Sequence, residues 1–196
     1  MAILAYVKQG KEPGRVTLGL NYGNETKAIS VSEKVYMSLG GPVKGTVIYP
    51  EVIEELKLDD ARFKAMKKAL SILAVSDNNR FSLSMKLHKA SFPMEVIEEV
   101  VERCMSLGYI DELKQLKRLV PDEANRNLRG PRMIRQKLVA KGYSGADVDL
   151  VISEMVASGE VDFSRNFNLL CEKRGCVSED AKIVLAFKQG YPRNEI

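Results

Sequence analysis

Side chains that could act as nucleophiles or bases are few in this sequence. The 196 residues include a single histidine, three cysteines and no tryptophan. The cysteine spacing matches neither a zinc ribbon nor a disulfide framework, which predicts core or surface thiols and favours a reducing cytoplasm. No serine or cysteine near the histidine suggests a nucleophile–base pair. These residues are His88, Cys104, Cys171 and Cys176.

Phosphate-binding loops and clusters of carboxylates are two other sequence features that would indicate an active site. Residues 40–45 read Gly-Gly-Pro-Val-Lys-Gly, without the spacing of a P-loop or the Lys-Ser/Thr that closes one. Glu98, Glu99 and Glu102 share one side of a predicted helix, where a solvated face is the simpler interpretation. We therefore expect no enzyme, no catalytic residue, no cofactor and no metal.

Positive charge is concentrated in one stretch of the chain. Residues 112–142 hold nine basic and three acidic side chains, a net charge of +6, whereas the whole chain carries +4. Arginine forks match phosphates or carboxylates, so such a face suits a DNA backbone or an acidic protein surface; a solvated helix face is the alternative. No aromatic residues alternate with these basic residues, so the segment lacks the stacking surface that proteins use to bind the nucleobases of single-stranded DNA or RNA. The candidate contact residues are Arg126, Arg129, Arg132, Arg135, Lys137 and Lys141, together with Lys86 and Lys89 upstream.

The first 60 residues predict a small β-containing N-terminal extension. Residues 3–7, 15–20 and 27–31 are short, rich in β-branched or aromatic residues, and separated by turns that contain glycine. A short helix over residues 32–39 and another over residues 50–56 are expected to follow, the second opened by Pro50.

The remainder predicts helices that recur. Residues 61–75 and 81–89 have helical spacing of apolar side chains, and Pro93 opens a third helix. A shift of 51 residues aligns residues 86–111 with 137–162 without a gap, and the apolar stripe, the helix stop and the following Asp keep register. We predict a mainly α fold of tandem three-helix, helix-turn-helix-like repeats in an elongated array; unrelated helical bundles are the alternative. The predicted repeats cover residues 61–111, 112–161 and, as a truncated third copy, 162–196.

Two sequence motifs resemble the RecX family of bacterial regulators. One is Phe92-Pro93-Met94-Glu95-Val96-Ile97 leading into Leu107-Gly108-Tyr109-Ile110-Asp111-Glu112. The other is Gly130-Pro131-Arg132-Met133-Ile134-Arg135-Gln136-Lys137-Leu138 followed by Lys141-Gly142-Tyr143. The resemblance implies a cytoplasmic, monomeric, non-catalytic protein that binds the RecA–DNA filament and reduces ATP hydrolysis, strand exchange and filament growth. The expected partner is therefore the RecA filament. Non-specific contact with the backbone of single- or double-stranded DNA is a further possibility, and no membrane partner is expected.

Some positions depart from the family pattern. Pro121 should kink or break the first helix of the second repeat near residues 117–120, and Ser91 stands where the second repeat has Gly142. A different function also stays open, that of a helix-turn-helix-like transcription regulator that binds DNA. Asp147, Asp149 and Glu154 on the predicted recognition helix argue against it, because their sign is wrong for a groove lined by phosphates.

Overall fold

A computed structural model describes residues 1–176 and 178–192 of the chain. Within these residues the fold is mainly helical and begins with a small antiparallel sheet. The chain divides into two compact units, Met1–Ala74 with Lys86–Arg103, and Val75–Met85 with the described residues from Cys104 onward. The predicted fold class, helical repeats after a β-containing extension, is confirmed.

Four strands form the sheet, in the order β3-β2-β1-β4. Their bounds are β1 Ala2–Gln9, β2 Arg15–Asn21, β3 Thr26–Ser32 and β4 Val47–Ile48. Leu4 on β1 and Leu18 on β2 are fully buried, as the alternation along a half-buried strand requires. Ser32 ends β3 and caps helix α1, Glu33–Ser38, by accepting from the backbone N–H of Val35.

Helix α2 runs without interruption over Pro50–Leu73 and packs Ile53 and Leu56 into the core beside the sheet. The prediction of two separate helices, over residues 50–56 and 61–75, is wrong. Asp59 is held inside the helix because Arg15 Nη1 lies 2.8 Å from its Oδ2, and the backbone N–H of Ser32 donates to the same oxygen at 2.8 Å. These contacts from the strands satisfy a carboxylate that otherwise favours helix ends.

Seven further α-helices follow in the part of the chain that the structure describes, and most of their bounds repeat. Helix α3 and helix α6 are 51 residues apart at both ends, as are α4 and α7, and α5 begins 51 residues before α8. Asp111 and Asp162 cap α5 and α8 in the same way, each accepting from the N–H three residues on at 2.9 Å. The helices are α3 Arg80–Lys89, α4 Met94–Ser106, α5 Glu112–Pro121, α6 Pro131–Ala140, α7 Gly145–Ala157, α8 Phe163–Arg174 and α9 Glu179–Gln189.

The turn after the second helix of each repeat also recurs. Ser91 has φ 62° and Gly142 has φ 92°, so the backbone is left-handed at both positions although one of them is not glycine. The 51-residue register therefore holds in the backbone as well as in the sequence. The repeat limits at residues 61–111, 112–161 and 162–196 stay predictions, and residues 177 and 193–196 of the third lie outside the described residues.

Pro121 does not break its helix where the sequence predicts a break. Helix α5 continues to Pro121, which has φ −61° and ψ −37°, and a π-helical turn, Asp122–Arg126, follows directly. The proline ring removes one N–H near the end of the helix, and the next N–H, of Asp122, reaches Leu119 O. The irregular turn thus comes after the proline and not before it.

None of the helices in the described part combines the length and apolarity needed to span a bilayer.

Candidate partner-binding surface

Helix α6 positions the densest part of the basic segment. The four-residue spacing of Ile134 and Leu138 predicts that both face inward from this helix, and both are fully buried in the core of the second unit. Their burial turns the side chains of Arg132 and Arg135 to the surface, where both are exposed. The apolar stripe of α6 therefore fixes which of its cations reach solvent.

The first turn of α6 docks onto the end of α9. The backbone N–H of Gly130 donates to Gln189 O at 2.8 Å, and that of Arg132 donates to Gly190 O at 3.1 Å. A Cβ on Gly130 would lie 2.4 Å from the carbonyl carbon of Gly190, so no side chain fits there. Two of the orphan N–H groups at the helix start are satisfied in this way. The Gly130-Pro131 portion of the motif thus serves the fold.

A buried carboxylate in the π-helical turn holds two of the predicted contact residues. Glu123 has a 6% exposed side chain and forms close ion pairs with Arg129 Nη1 and Lys137 Nζ. Asn127 Nδ2 donates to it as well, at 3.3 Å. The two cations are about one third exposed, at 31% and 33%. Arg129 and Lys137 therefore neutralise an internal charge, and removing either would leave that charge less compensated.

Two more cations of the segment have partners at the surface. Arg135 Nε donates to both carboxylate oxygens of Asp149 at 2.9 Å each, and both side chains are about half exposed. Arg126 lies 2.7 Å from Asp122 and is 82% exposed. Such exposed pairs are worth roughly 0–1 kcal/mol, so an acidic partner could replace either carboxylate at small cost.

Of the six candidate cations from Arg126 to Lys141, Arg132 and Lys141 are exposed and make no ion pair with any described residue. The backbone carbonyl of Lys141 accepts from Asn79 Nδ2 at 2.9 Å, which fixes the position from which this side chain extends. The backbones of both residues are thus held by hydrogen bonds, and their charged groups are exposed to solvent.

Lys86 and Lys89 lie on helix α3 and are exposed. They belong to the first compact unit, whereas the six downstream candidates belong to the second. The candidates from Arg126 to Lys141 therefore lie on one unit, and the two lysines lie on the other.

The Lys141-Gly142-Tyr143 motif is fixed by a buried polar network. Tyr143 Oη donates to Gln115 Oε1 at 2.8 Å, and Gln115 Nε2 donates to Asn78 O at 3.2 Å. Burial raises the pKa of the Tyr143 hydroxyl, with smaller contributions from nearby carboxylates. A Cβ on Gly142 would lie 2.4 Å from Phe81 Cβ, so a side chain at this position would clash with Phe81. The motif supports the turn that carries Lys141.

Sequence reasoning missed the acidic members of this surface. Glu123 lies 14 residues from Lys137, on a different element, and Asp149 lies 14 residues from Arg135. Neither spacing corresponds to a helix face or to a cross-strand pair, so no local pattern could reveal these contacts. Within the described residues, no group of three or more His, Cys, Asp or Glu side chains is placed to hold a metal ion.

Comparison with known proteins gives several relatives. A protein named Regulatory protein RecX from Leuconostoc mesenteroides is 24% identical over 159 residues, 81% of this chain and 58% of that protein. One of the same name from Clostridioides difficile is 28% identical over 131 residues, 67% of this chain and 60% of that protein. The resemblance to the RecX family is confirmed. The chain spans about three fifths of the length of these curated relatives, and no family model matches it.

Solved structures show the same fold. A crystal structure of regulatory protein RecX superposes with a TM-score of 0.73 at 20% identity, covering 100% of this chain and 97% of that one. The crystal structure of RecX from Lactobacillus salivarius gives 0.58 at 18% identity, covering 69% of this chain and 92% of that one. The RecX-like fold therefore includes the N-terminal sheet as well as the repeats.

Proposed function

We propose that this protein is a non-catalytic, monomeric regulator that binds RecA or RecA–DNA filaments in the cytoplasm. Binding inhibits the recombinase in DNA repair and recombination, by lowering ATP hydrolysis, strand exchange and filament growth. The observation that carries the proposal is the likeness to proteins named Regulatory protein RecX, which extends over 81% of this chain in sequence and over all of it in fold.

The contact surface we assign is smaller than the basic segment. Arg132 and Lys141 are its centre, because they are exposed and make no ion pair with a described residue. Arg126 and Arg135 are assigned to the same surface, since their exposed ion pairs can be exchanged for a partner's phosphates or carboxylates. Arg129 and Lys137 are assigned to the fold because they compensate a buried carboxylate.

Inhibition of RecA tests the function directly. Purified protein is added to RecA on single-stranded DNA, and ATP hydrolysis is followed at low salt. The expected result is a dose-dependent fall in hydrolysis that weakens as salt is raised, because charge contacts are screened. Unchanged hydrolysis over a wide excess of the protein at low salt contradicts the proposal.

A paired substitution tests the surface. Arg132→Ala with Lys141→Ala should raise the concentration needed for half inhibition by about 5- to 30-fold, at roughly 0.5–1 kcal/mol per contact. Lys173→Ala with Arg174→Ala is the matched control, because it removes the same charge from exposed positions on α8 of the same unit. If both double variants inhibit RecA as well as the parent protein does, the contact surface lies elsewhere.

Binding to random duplex, to single strand and to RecA-coated strand separates this function from a transcription regulator. Preference for one duplex sequence without RecA would favour the regulator that binds DNA. Helix α7 would be the recognition helix of such a DNA-binding regulator. Its Asp149 and Glu154 form ion pairs with Arg135 and Lys117, so it carries carboxylates where a helix in a DNA groove needs cations.

A further inference from the structure

The end of helix α8 brings two cysteines together. Gly175 is left-handed, with φ 65°, and its N–H donates to Glu172 O at 3.2 Å. The N–H of Cys176 donates back to Cys171 O at 3.0 Å. These two bonds define a Schellman motif, in which the side chain of the residue after the glycine characteristically touches that of the helical residue five positions earlier. In this chain both positions are cysteine.

The two thiols have different access to solvent. Cys171 is 8% exposed in the core of the second unit, and Cys176 is partly buried and packs against that same core. Burial raises the pKa of the Cys171 thiol, and the adjacent Cys176 raises it further. Cys176 also lines a shallow surface depression of about 400 Å³ with apolar side chains, among them Val184 and Leu185, and with Lys188. A small reagent can therefore reach Cys176 first.

We propose that Cys176 and Cys171 form a dithiol modification site that hydroperoxides oxidise to an intramolecular disulfide. The Cys176 thiol loses its proton, the thiolate attacks a peroxide oxygen, and the O–O bond breaks. The departing hydroxide takes up that proton and leaves as water, and Cys176 becomes the sulfenic acid. The Cys171 thiol then attacks that sulfur, the S–O bond breaks, and a second water leaves. Two electrons and two protons pass from the thiols to the peroxide, so hydrogen peroxide becomes two waters.

The native backbone suits this bond. A disulfide needs Cα atoms about 4.4–6.8 Å apart, and the N–H···O bond between the same two residues holds their backbones close. Oxidation can thus proceed with helix α8 in place. The third thiol, Cys104, is fully buried, and burial raises its pKa, so it is the internal control. This inference does not rest on the proposed function.

The test uses the full chain, reduced and then treated with hydrogen peroxide. We expect a mass loss of about 2 Da, because two hydrogens leave, and protection of two thiols from alkylation under denaturing conditions. Trypsin cleaves after Lys173 and Arg174, between the two cysteines, so the digest should contain two peptides joined only through the new bond.

Variants make the order of events visible. Cys176→Ser should slow thiol loss at least tenfold, Cys171→Ser should leave a sulfenic acid that dimedone traps, and Cys104→Ser should react like the parent chain. The inference is overturned if both thiols of the parent chain stay alkylatable after excess peroxide. It is equally overturned if Cys176 is oxidised to the sulfinic acid without a cross-link, or if the main product is a disulfide between two chains.

Discussion

Replacing Gly130 with alanine isolates the contact between the start of helix α6 and the end of helix α9. Gly130 has φ −73° and ψ 164°, a backbone conformation that alanine adopts freely. Alanine would by itself stabilise the protein by about 0.4–1 kcal/mol, because it restricts the unfolded chain. Any destabilisation therefore measures the loss of the contact and not backbone strain.

The size of the effect follows from the geometry. The added Cβ would lie 2.4 Å from both the Gly190 carbonyl carbon and the Tyr191 nitrogen, whereas an ordinary contact begins near 3.4 Å. The two helices must separate by roughly 1 Å, which weakens the two N–H···O bonds between them at about 1 kcal/mol each. Tyr191 is buried with its ring 5.0 Å from that of Phe167, and disturbing this packing costs about 1–2 kcal/mol more. Less the gain of about 0.4–1 kcal/mol from the restricted unfolded chain, the expected net loss is about 2–3.5 kcal/mol.

Chemical denaturation followed by far-ultraviolet circular dichroism measures the loss of stability. Gly159→Ala is the matched control, because Gly159 has φ 76° but no atom of the described residues lies within 4 Å of its added Cβ. That variant should lose about 1 kcal/mol through backbone strain alone. A Gly130→Ala variant that loses no more free energy of unfolding than the Gly159→Ala control would refute the reasoning.

Three further substitutions test other contacts. Ser91→Gly should stabilise the protein by about 0.5–1 kcal/mol, because serine adopts a left-handed backbone with φ 62° there, and a fall in the melting temperature would contradict this. Glu123→Gln should destabilise the second unit by about 2–3 kcal/mol in denaturation, since two cations lose their buried partner; a change below 0.5 kcal/mol would show that the pair is not structural. The hydrogen bond and charge of Arg62, with Nε 2.5 Å from Glu99 Oε2, hold the pKa of Glu99 below its usual range. Glu99 therefore contributes stability above its unfolded pKa and loses it as pH falls through the lowered value. Glu99→Gln should accordingly cost less than about 1 kcal/mol at neutral pH and nothing in acid, and a difference that persists in acid would exclude this origin.

Local patterns predicted much of the fold. Alternation and turns indicated the three long strands, and the 51-residue register indicated helices whose bounds recur at that spacing. The continuous helix α2 was missed because the partner that holds Asp59 within it, Arg15, lies 44 residues away along the chain. The inward side of α6 was predicted correctly, since helical periodicity places Ile134 and Leu138 on one face.

Residue types at short spacings were enough to predict the class of the fold, the repeat, the basic segment and the resemblance to a family. Which cations are available to a partner depends on how the chain packs. Glu123 holds Arg129 and Lys137, while Arg132 and Lys141 stay open among the described residues. An ion pair forms over a few ångströms, here between elements that are distant along the chain. The packing of those elements therefore determines which charges pair, and spacing in the sequence does not.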